Sequence, residues 1–565
     1  MHKIIKIVVS ISLFVWHSSN VNATTYYVSN SGNDANTGTA TNQSWSSLGQ
    51  VNGFAFQPGD SILFNRGDEW NGQLLPKSGN STSRIYYGAY GAGTLPAIMG
   101  SVQRNNAANW IDQGGNVWLC DTNFSTDIGN IILDDGVAVG LKKWGLADLN
   151  AQNDFWYNIN TGSLFIYSVG NPATIYSAID LAVRQHVVDF SATQYVTFEN
   201  LAIKYGAAHG FGGSPTSNLI IRSCEISYIG GGDLNMDATV RFGNAVEFWG
   251  NATDNLVEKC LIWEIYDTGL TNQNHTQTVT QSNISYRNNI IWNCGLASFE
   301  FWVKPASSTV SNIRFENNTC YNAGGGWGVQ RPDISGLHVV VSDNLAQTDT
   351  VFIQNNIFHT AQRSIYVEVD VATGQYVYNH NVVFQPNAGD TLFAYYPSLN
   401  VFHFSEFNNY VSTTGYGQNS IAADPNLVDI ANQNFMLAWN SPAIDAGANL
   451  NITEDFAGNN RPQNAGIDIG AYEYLGGLNV LENQMDQKLL LFPNPCRDHF
   501  YIEMANEKLD KMDVLILNQM GQVVMRKHDF DLNNPVNISE LKPGVYWVNI
   551  SNQKSYSLVK KLVVQ

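Results

Sequence analysis

Two short segments of the sequence share a pattern in which a glutamate lies between large apolar residues and precedes a tryptophan. They are Val246-Glu247-Phe248-Trp249 and Phe299-Glu300-Phe301-Trp302. In an extended chain successive side chains point to opposite faces, so each glutamate faces away from its apolar neighbours. Paired carboxylates hydrolyse glycosidic bonds, and inverting enzymes separate them by roughly 6.5–9.5 Å. Two spacings between stacked strands would place these carboxylates roughly 9 to 10 Å apart, at the upper edge of that range.

Two further acids accompany these segments. Glu368 is a candidate partner further along the chain, and Asp267 lies near the end of a predicted strand. A carboxylate in such a position is as often exposed or bonded within the fold as it is catalytic. An alignment error of one residue would also turn a side chain to the other face of its strand. The sequence therefore leaves open which of the four acids are catalytic.

A second set of residues suits a different reaction. β-Elimination in a uronic-acid polymer needs a base for the C5 proton and a cation to neutralise the neighbouring carboxylate. Lys304 could be that base and Arg331 that cation, and the alternative is that both are surface cations on solvated strands. His275 lies among polar residues and is the candidate acid–base or sugar-binding histidine, although a loop histidine is usually only solvated.

Aromatic and amide side chains in the same stretch are candidates for sugar binding. Aromatic residues make up 12% of the chain, which has 14 tryptophans. Tryptophan usually fills a core, but in an open groove its ring can stack on a sugar. The candidate substrate-binding residues are Trp249, Trp302, Trp327, Asn272 and Gln330.

A glycine-rich segment offers oxygen ligands at alternate positions. Asp233, Asn235 and Asp237 follow three glycines, like the start of a calcium loop. No bidentate glutamate follows at the spacing of an EF-hand, so the alternative is an insertion that merely turns the chain. Calcium is therefore a candidate ligand, and no other cofactor is indicated.

A repeated block must position these residues. The block is short, rich in Val, Ile, Phe and Tyr, and closed by Gly, Asn or Asp, which favours a strand over a helix. Copies start at Phe198, Arg222, Glu258, Arg287, Glu316, Gln354, Asn379 and Phe407. The third position is Asn200, Cys224, Cys260, Asn289, Asn318, Asn356, Asn381 or Asn409, and the fifth is apolar. The spacing is typical of a solenoid whose strands pair in parallel, with asparagines stacked in a ladder.

On these blocks the chain resembles the right-handed parallel β-helix proteins of the pectate-lyase-like superfamily, over about Thr25 to Tyr474. The opening segment from Tyr26 to Gly38 and the closing segment from Gly466 to Glu473 are similar to the ends of such proteins. The resemblance implies an all-β right-handed solenoid. The residues around Lys304 and Arg331 resemble β-helix alginate and chondroitin lyases only in outline, because an Asn-Gly-Glu-x-Glu run is missing.

The ends of the chain predict export. Residues 1–23 have lysines flanking an apolar run and a small-residue cleavage pattern at Val21-Asn22-Ala23, which is typical of a signal peptide. The predicted parallel β-helix occupies residues 24–474 and a predicted linker follows at 475–488. Apolar and polar residues then alternate in short strands over residues 489–565, which predicts a small β-sandwich. Their order resembles the C-terminal sorting domain of type IX secretion substrates. That resemblance implies a Bacteroidetes-type source, a secreted or cell-surface protein and the type IX machinery as partner, with a carbohydrate-binding sandwich as the alternative.

The charge composition excludes one class of binding partner. The 29 basic and 48 acidic residues give a net charge of −19, which argues against a nucleic acid. The N-terminal apolar run is too short to span a membrane, no later run reaches the length needed, and we expect a monomer. Cys224 and Cys260 fall in one repeat position and could form a disulfide, although two stacked small apolar side chains is the favoured interpretation.

Three hypotheses about function follow. The first and favoured one is a secreted glycoside hydrolase with paired carboxylates. The second is a polysaccharide lyase that uses Lys304 and Arg331. The third is a non-catalytic glycan-binding protein or adhesin. A polysaccharide is the expected partner in all three, and the fold alone does not choose among them.

Overall fold

The computed structural model describes residues 23–332, 336–342, 345–369, 375–396, 400–475, 489–504, 511–517, 523–532, 534–551 and 557–564. Most of the predicted signal peptide and of the predicted linker lies outside the described residues. The chain divides into two compact units, up to Leu256 and from Val257 onward. A short strand, Leu256–Glu258, lies at the division in the sequence.

The first unit contains three series of parallel strands, as expected for stacked coils. The first series is Thr25–Val28, Ser61–Asn65, Ile85–Tyr90, Thr193–Glu199, Thr216–Arg222 and Ala252–Thr253. The second is Glu69–Asn71, Ala97–Met99, Ala202–Lys204 and Glu225–Ile229. The third is Val188–Asp189, Phe211–Gly212 and Val246–Trp249. Side chains alternate along these strands, and those that face the interior, such as Phe198 and Phe211, are fully buried.

Residues 101–183 interrupt the first unit with two small, mostly antiparallel sheets that the sequence analysis did not predict. The four-stranded sheet has Ala138–Val139, Ile128–Leu133, Ile179–Val183 and Ser101–Gln103. The five-stranded sheet has Leu141–Lys142, Asp154–Asn158, Ser163–Tyr167, Val117–Cys120 and Trp110–Asp112. They share a separate apolar core that includes Phe155, Leu164 and Ile166. A hairpin follows later in the unit, formed by Gly232–Asp233 and Arg241–Phe242.

The second unit also has three parallel series. The first is Thr280–Arg287, Thr309–Glu316, Thr350–Gln354 and Gln375–Asn379, with Gln347–Thr348 beside Thr309–Glu316. The second is Leu261–Ile265, Ile290–Cys294, Thr319–Ala323, Ile357–Ala361, Val382–Phe384 and Ile421–Ala422. The third is Thr268–Asn274, Ala297–Val303, Leu337–Ser342, Ser364–Val369 and Thr391–Tyr396, closed by the antiparallel Asn400–His403. A hairpin of Leu427–Asp429 and Asn434–Leu437 follows.

The predicted asparagine ladder runs through the second unit. The side chains of Asn289, Asn318, Asn356 and Asn381 are fully buried, and each Nδ2 donates to the Oδ1 of the next at 3.0–3.1 Å. The same Oδ1 atoms accept the backbone N–H of the preceding member at 2.8–2.9 Å. The backbone N–H of Cys260 donates to Asn289 at 3.0 Å and begins the column. The ladder therefore fixes the register of successive coils with bonds that water cannot replace.

The predicted repeat is wrong at its first and last copies. In the first unit Leu201, not Asn200, lies beside Cys224, because Glu199 pairs with Arg222 and Ala202 with Glu225. At the other end the expected strand at Phe407 is an α-helix, Phe407–Thr414, so Asn409 is not in the ladder. From Arg287 to Asn379 the predicted starts pair as expected.

The short helices are few in the described part of the chain. The α-helices are Leu48–Gly53, Pro172–Ile175 and Phe407–Thr414. The 3₁₀ turns are Thr41–Gln43, Ala107–Asn109, Asp134–Gly136, Leu146–Asp148, Trp327–Gln330, Phe404–Glu406 and Ile430–Asn432. Within the described residues no helix has the length and apolar character needed to cross a membrane. All six cysteines are buried free thiols, so Cys224 and Cys260 form no disulfide.

The C-terminal region is the predicted small β-sandwich. A three-stranded sheet has Leu489–Phe492, His499–Met504 and Val536–Asn537. A four-stranded sheet has Val523–Asp531, Lys511–Leu517, Gly544–Ser551 and Ser557–Val564. All pairs are antiparallel, and Phe500, Ile516 and Val548 are fully buried between the sheets.

The ladder predicts a large cost for removing one amide. Asn318→Ala leaves the buried N–H and Nδ2 of Asn289 without their acceptor, and unsatisfied buried groups cost about 1–3 kcal/mol each. We expect urea unfolding of the full chain to show a loss of at least about 2 kcal/mol. The control is Asn408→Ala, on the exposed face of the helix Phe407–Thr414, which should change stability little. Equal unfolding midpoints for the two variants would contradict the ladder's role.

Candidate functional site

Glu247 and Trp249 project from the outer face of the strand Val246–Trp249. Val246 and Phe248 are fully buried, whereas Trp249 is partly exposed and Glu247 is 6% exposed. The alternation follows from the two-residue period of a strand. Glu247 is therefore oriented as its sequence pattern predicts, with its backbone held by pairing of Val246 to Phe211.

The Glu247 carboxylate is held by two side chains of its own unit. His209 Nε2 lies 3.2 Å from Oε1, and Asn244 Nδ2 donates to Oε2 at 2.6 Å. Burial favours the neutral acid, but the attraction and hydrogen bond of His209 and the bond from Asn244 outweigh it and hold the pKa of Glu247 below its usual range. An ionised carboxylate of this kind can act as a base or nucleophile but not as a proton donor near neutral pH.

A second histidine covers His209. The rings of His186 and His209 stack with centroids 5.0 Å apart and an interplanar angle of 22°. Burial, together with the neighbouring His209, lowers the pKa of His186 to about 4. His186 is therefore a neutral imidazole at neutral pH.

The predicted calcium residues form a self-contained loop. The Asp233 carboxylate accepts backbone N–H groups from Asn235 at 3.3 Å and Ala238 at 2.6 Å, and Asp237 accepts the N–H of Thr239. Among the described residues no group of three or more His, Cys, Asp or Glu side chains is arranged to hold a metal ion. The oxygens accept hydrogen bonds from their own loop, so these residues do not fit a calcium site.

Glu300 has the same outward orientation in the second unit. Phe299 and Phe301 are fully buried, and Glu300, which pairs with Thr271, is 4% exposed. Its Oε2 accepts from Gln273 Nε2 at 2.5 Å and from the hydroxyls of Thr268 and Thr271 at 3.3 and 3.4 Å. Since Glu247 and Glu300 lie in different units, their separation of roughly 9 to 10 Å stays a prediction.

Three predicted site residues gather beside Glu300. Trp302 lies two residues further along the same face and is half-buried. The ring of His275 packs on it with centroids 4.0 Å apart, and Lys304 Nζ lies 4.6 Å from the centre of one of its rings. The Nε1–H of Trp302 is buried without a hydrogen-bond partner among the described residues. The cluster brings an imidazole and a cation to the aromatic ring of Trp302, on the strand that carries Glu300.

The predicted lyase pair is corrected by the strand register. Arg331 Nη1 bonds Asp267 Oδ1 at 2.7 Å, immediately before the strand Thr268–Asn274. Lys304 follows the far end of the neighbouring strand, Ala297–Val303. Seven residues of parallel strand separate the two levels by roughly 20 Å. Lys304 and Arg331 therefore do not face one sugar ring, and Asp267 is engaged by Arg331.

Three other candidates point into the protein. Asn272 pairs with Phe301 and faces the coil interior, where Tyr286 donates to its Oδ1 at 2.8 Å. Glu368 pairs with Val341, the partner of Phe301, so it also faces inward and accepts from Tyr366. Burial raises the pKa of Glu368 despite that bond. Both side chains are therefore directed to the coil interior and not to the outer face that carries Glu300.

Trp327 and Gln330 bound the 3₁₀ turn Trp327–Gln330. Trp327 is buried against Tyr266, and its Nε1–H donates to the carbonyl of Glu264 at 2.7 Å, so it is part of the packing and not an open sugar platform. Gln330 is partly exposed and stays a candidate. The sequence analysis did not single out His209 as a partner of Glu247. The available signal was that His186, His209 and Asn244 each precede an inward apolar residue by two positions.

Two parts of the chain match known protein families. Residues 165–344 match the family described as the right handed beta helix region, and the parallel strand series agree with it, so the chain is a right-handed parallel β-helix protein. Residues 490–565 match the secretion system C-terminal sorting domain. The protein is therefore a type IX secretion substrate that is exported to the cell surface or the exterior.

Individual relatives are more distant. Over 74 residues the chain is 47% identical to a lacto-N-biosidase of Bifidobacterium longum subsp. longum, a match that spans only 5% of that relative. The structure of XylC with xylose is 12% identical, with a TM-score of 0.48 over 79% of this chain and 98% of that one. Pectate lyase Pel9A is 12% identical, with a TM-score of 0.43 over 80% and 97%.

The lowered pKa of His186 predicts an acid-sensitive contribution to stability. The folded protein disfavours the charged ring, so stability is retained above about pH 6.5 and falls as pH drops toward 4. His186→Gln should lose less stability than the wild type between pH 7 and pH 4.5, measured by urea unfolding across that range. His528→Gln, at an exposed position of the sandwich, is the control and should follow the wild type. Parallel curves for wild type and His186→Gln would contradict the assignment.

Proposed function

We propose that this secreted protein is a glycoside hydrolase that degrades a polysaccharide, with Glu247 and Glu300 as its candidate catalytic carboxylates. The observation that carries the proposal is the outward glutamate–tryptophan pair, which occurs once in each unit. In both, the carboxylate is almost buried and is held by side-chain donors of its own unit. A carboxylate that is oriented in this way, on the face opposite the core, is suited to chemistry on a bound sugar.

The chemistry follows from the position and charge of each group. Hydrolysis of a glycosidic bond needs one carboxyl group to protonate the leaving oxygen and another to act as base or nucleophile. Glu247 suits the second role, because its pKa is held below the usual range. Trp302 lies two residues from Glu300 on the same face, roughly 6.6 Å along the strand, so a sugar beside its ring would lie near the carboxylate. Action of the two carboxylates on one bond stays a prediction.

The alternatives are weaker on the same observations. The lyase hypothesis loses its proposed pair, since Lys304 and Arg331 lie at opposite ends of neighbouring strands. A glycan-binding protein would need no oriented carboxylates. The short similarity to a lacto-N-biosidase supports a carbohydrate-active class, although it spans little of either chain.

A polysaccharide panel tests the reaction type. The full chain is incubated with neutral, uronic and sulfated polymers, and reducing ends and ultraviolet absorbance are followed together. Hydrolysis produces new reducing ends without absorbance, because no double bond forms, and this is the result we expect. A simultaneous rise of both signals would establish β-elimination and overturn the hydrolase. Neither signal with any polymer would favour the binding protein.

Variants then test the residues. Glu247→Gln and Glu300→Gln should each reduce kcat by about 10²–10⁴-fold, the range for loss of an acid or base group. Glu316→Gln is the matched control, since Glu316 is equally buried but lies in another strand series, paired with Arg314. If the two carboxylates act on one bond, the double variant should be little slower than the slower single variant. Full activity of either single variant would remove that residue from the mechanism.

A further inference from the structure

We propose that His209 is the positioning residue of Glu247, and that it keeps this carboxylate oriented for the reaction. The catalytic consequence rests on the proposed function, whereas the effect of His209 on Glu247 does not. His209, Asn244 and Glu247 contact one another, and each of the three residues is at least nine-tenths buried.

The hydrogen bonds fix which ring nitrogen carries the proton. The backbone N–H of Asn244 donates to His209 Nδ1 at 3.0 Å, so Nδ1 is an acceptor. The proton of the ring is therefore on Nε2, which faces Glu247 Oε1 at 3.2 Å. With both nitrogens engaged inside the protein, His209 has none with which to touch a substrate. Its role is to position another residue.

Asn244 closes the set from the other side. Its backbone orients the histidine, and its side-chain Nδ2 donates to Glu247 Oε2 at 2.6 Å. His209 thereby holds Oε1 of Glu247, and Asn244 holds Oε2. A carboxylate with two donors cannot rotate without losing a bond, which is the preorganisation that a catalytic base requires.

The stacked column around His209 limits movement of the ring. His186 lies on one side of it, and the edge of Phe242 packs on it with centroids 5.2 Å apart. Gly212 leaves the necessary space, since a Cβ there would lie 2.8 Å from His186 Nδ1 and 3.0 Å from His209 Cβ. Gly212→Ala would therefore displace the histidines without removing a charged group.

The neighbouring charges do not supply the same effect. Asp189 and Arg184 act electrostatically on His186, with opposite signs. Arg184 lies over the Phe242 ring at 5.5 Å. Of these three side chains, His209 is the one in direct contact with the carboxylate, so its loss should change Glu247 most.

The test is a carbon NMR titration of the full chain labelled at glutamate, with the Glu247 signal assigned by Glu247→Gln. In the wild type we expect a midpoint below the ordinary value of about 4.3. His209→Phe keeps the burial but removes the donor, so the midpoint should rise by about one unit or more. His209→Gln can still donate and should restore part of the shift. His359→Phe, in the second unit, is the control and should leave Glu247 unchanged.

The same variants give a second readout from the rate. If the protein hydrolyses a glycan, the acid limb of kcat/KM should move upward in His209→Phe, in step with the titration. A titration shift without that movement would overturn the catalytic part, and identical midpoints in wild type, His209→Phe and His209→Gln would overturn the whole inference. Absence of any hydrolysis would sink the proposed function alone, because the titration still decides whether His209 controls Glu247. If His209→Phe does not fold, the titrations of His209→Gln and Gly212→Ala decide it.

Discussion

The buried asparagine ladder of the second unit is the constraint on which its other features depend. Three side-chain bonds join the four amides from Asn289 to Asn381, each acceptor also bonds the backbone N–H of the preceding member, and none of these groups reaches water. A coil that slipped by one residue would lose these bonds and turn every side chain to the opposite face. The ladder therefore fixes which residues of each strand point outward, whether or not they take part in chemistry.

The same register produces polar columns outside the core. Glu264, Asn293 and Asn322 occupy equivalent positions at the ends of successive strands, with φ of 53°, 54° and 51°. Asparagine tolerates this left-handed conformation better than most residues. Their side chains bond in sequence, and Glu264 also accepts the backbone N–H of Trp327 at 2.7 Å. An outer column can thus anchor a loop beside the strands that carry the candidate site.

The sequence was most informative where one residue type repeats for one physical reason. The ladder from Cys260 to Asn381 could be predicted because a buried amide that bonds its own copy tolerates few replacements. The prediction failed at Asn200, where the signal depended on one residue of alignment, and at Phe407, where an apolar pattern suits a helix equally well. The inserted sheets at 101–183 were missed because antiparallel strands show the same alternation as coil strands.

The candidate site was predictable only in part, for a related reason. Alternation placed Glu247 and Glu300 on the outer face, but Asn272 and Glu368 face the interior, where Tyr286 and Tyr366 satisfy them. A polar residue inside a coil cannot be recognised without knowing its partner. The contact between Glu247 and His209 joins residues 38 positions apart in the sequence. It depends on strand pairing that cannot be read from a single sequence.

Two buried glutamates, Glu247 and Glu368, and the partly buried Glu264 can be compared for the effect of the histidine. Glu264 and Glu368 both accept hydrogen bonds, from Trp327 and Asn293 in one case and from Tyr366 in the other, yet burial still raises the pKa of each. Glu247 is also buried, but there the attraction and hydrogen bond of His209, with the bond from Asn244, reverse the direction. Of these three carboxylates, the one in contact with a histidine is therefore the one held toward the ionised form.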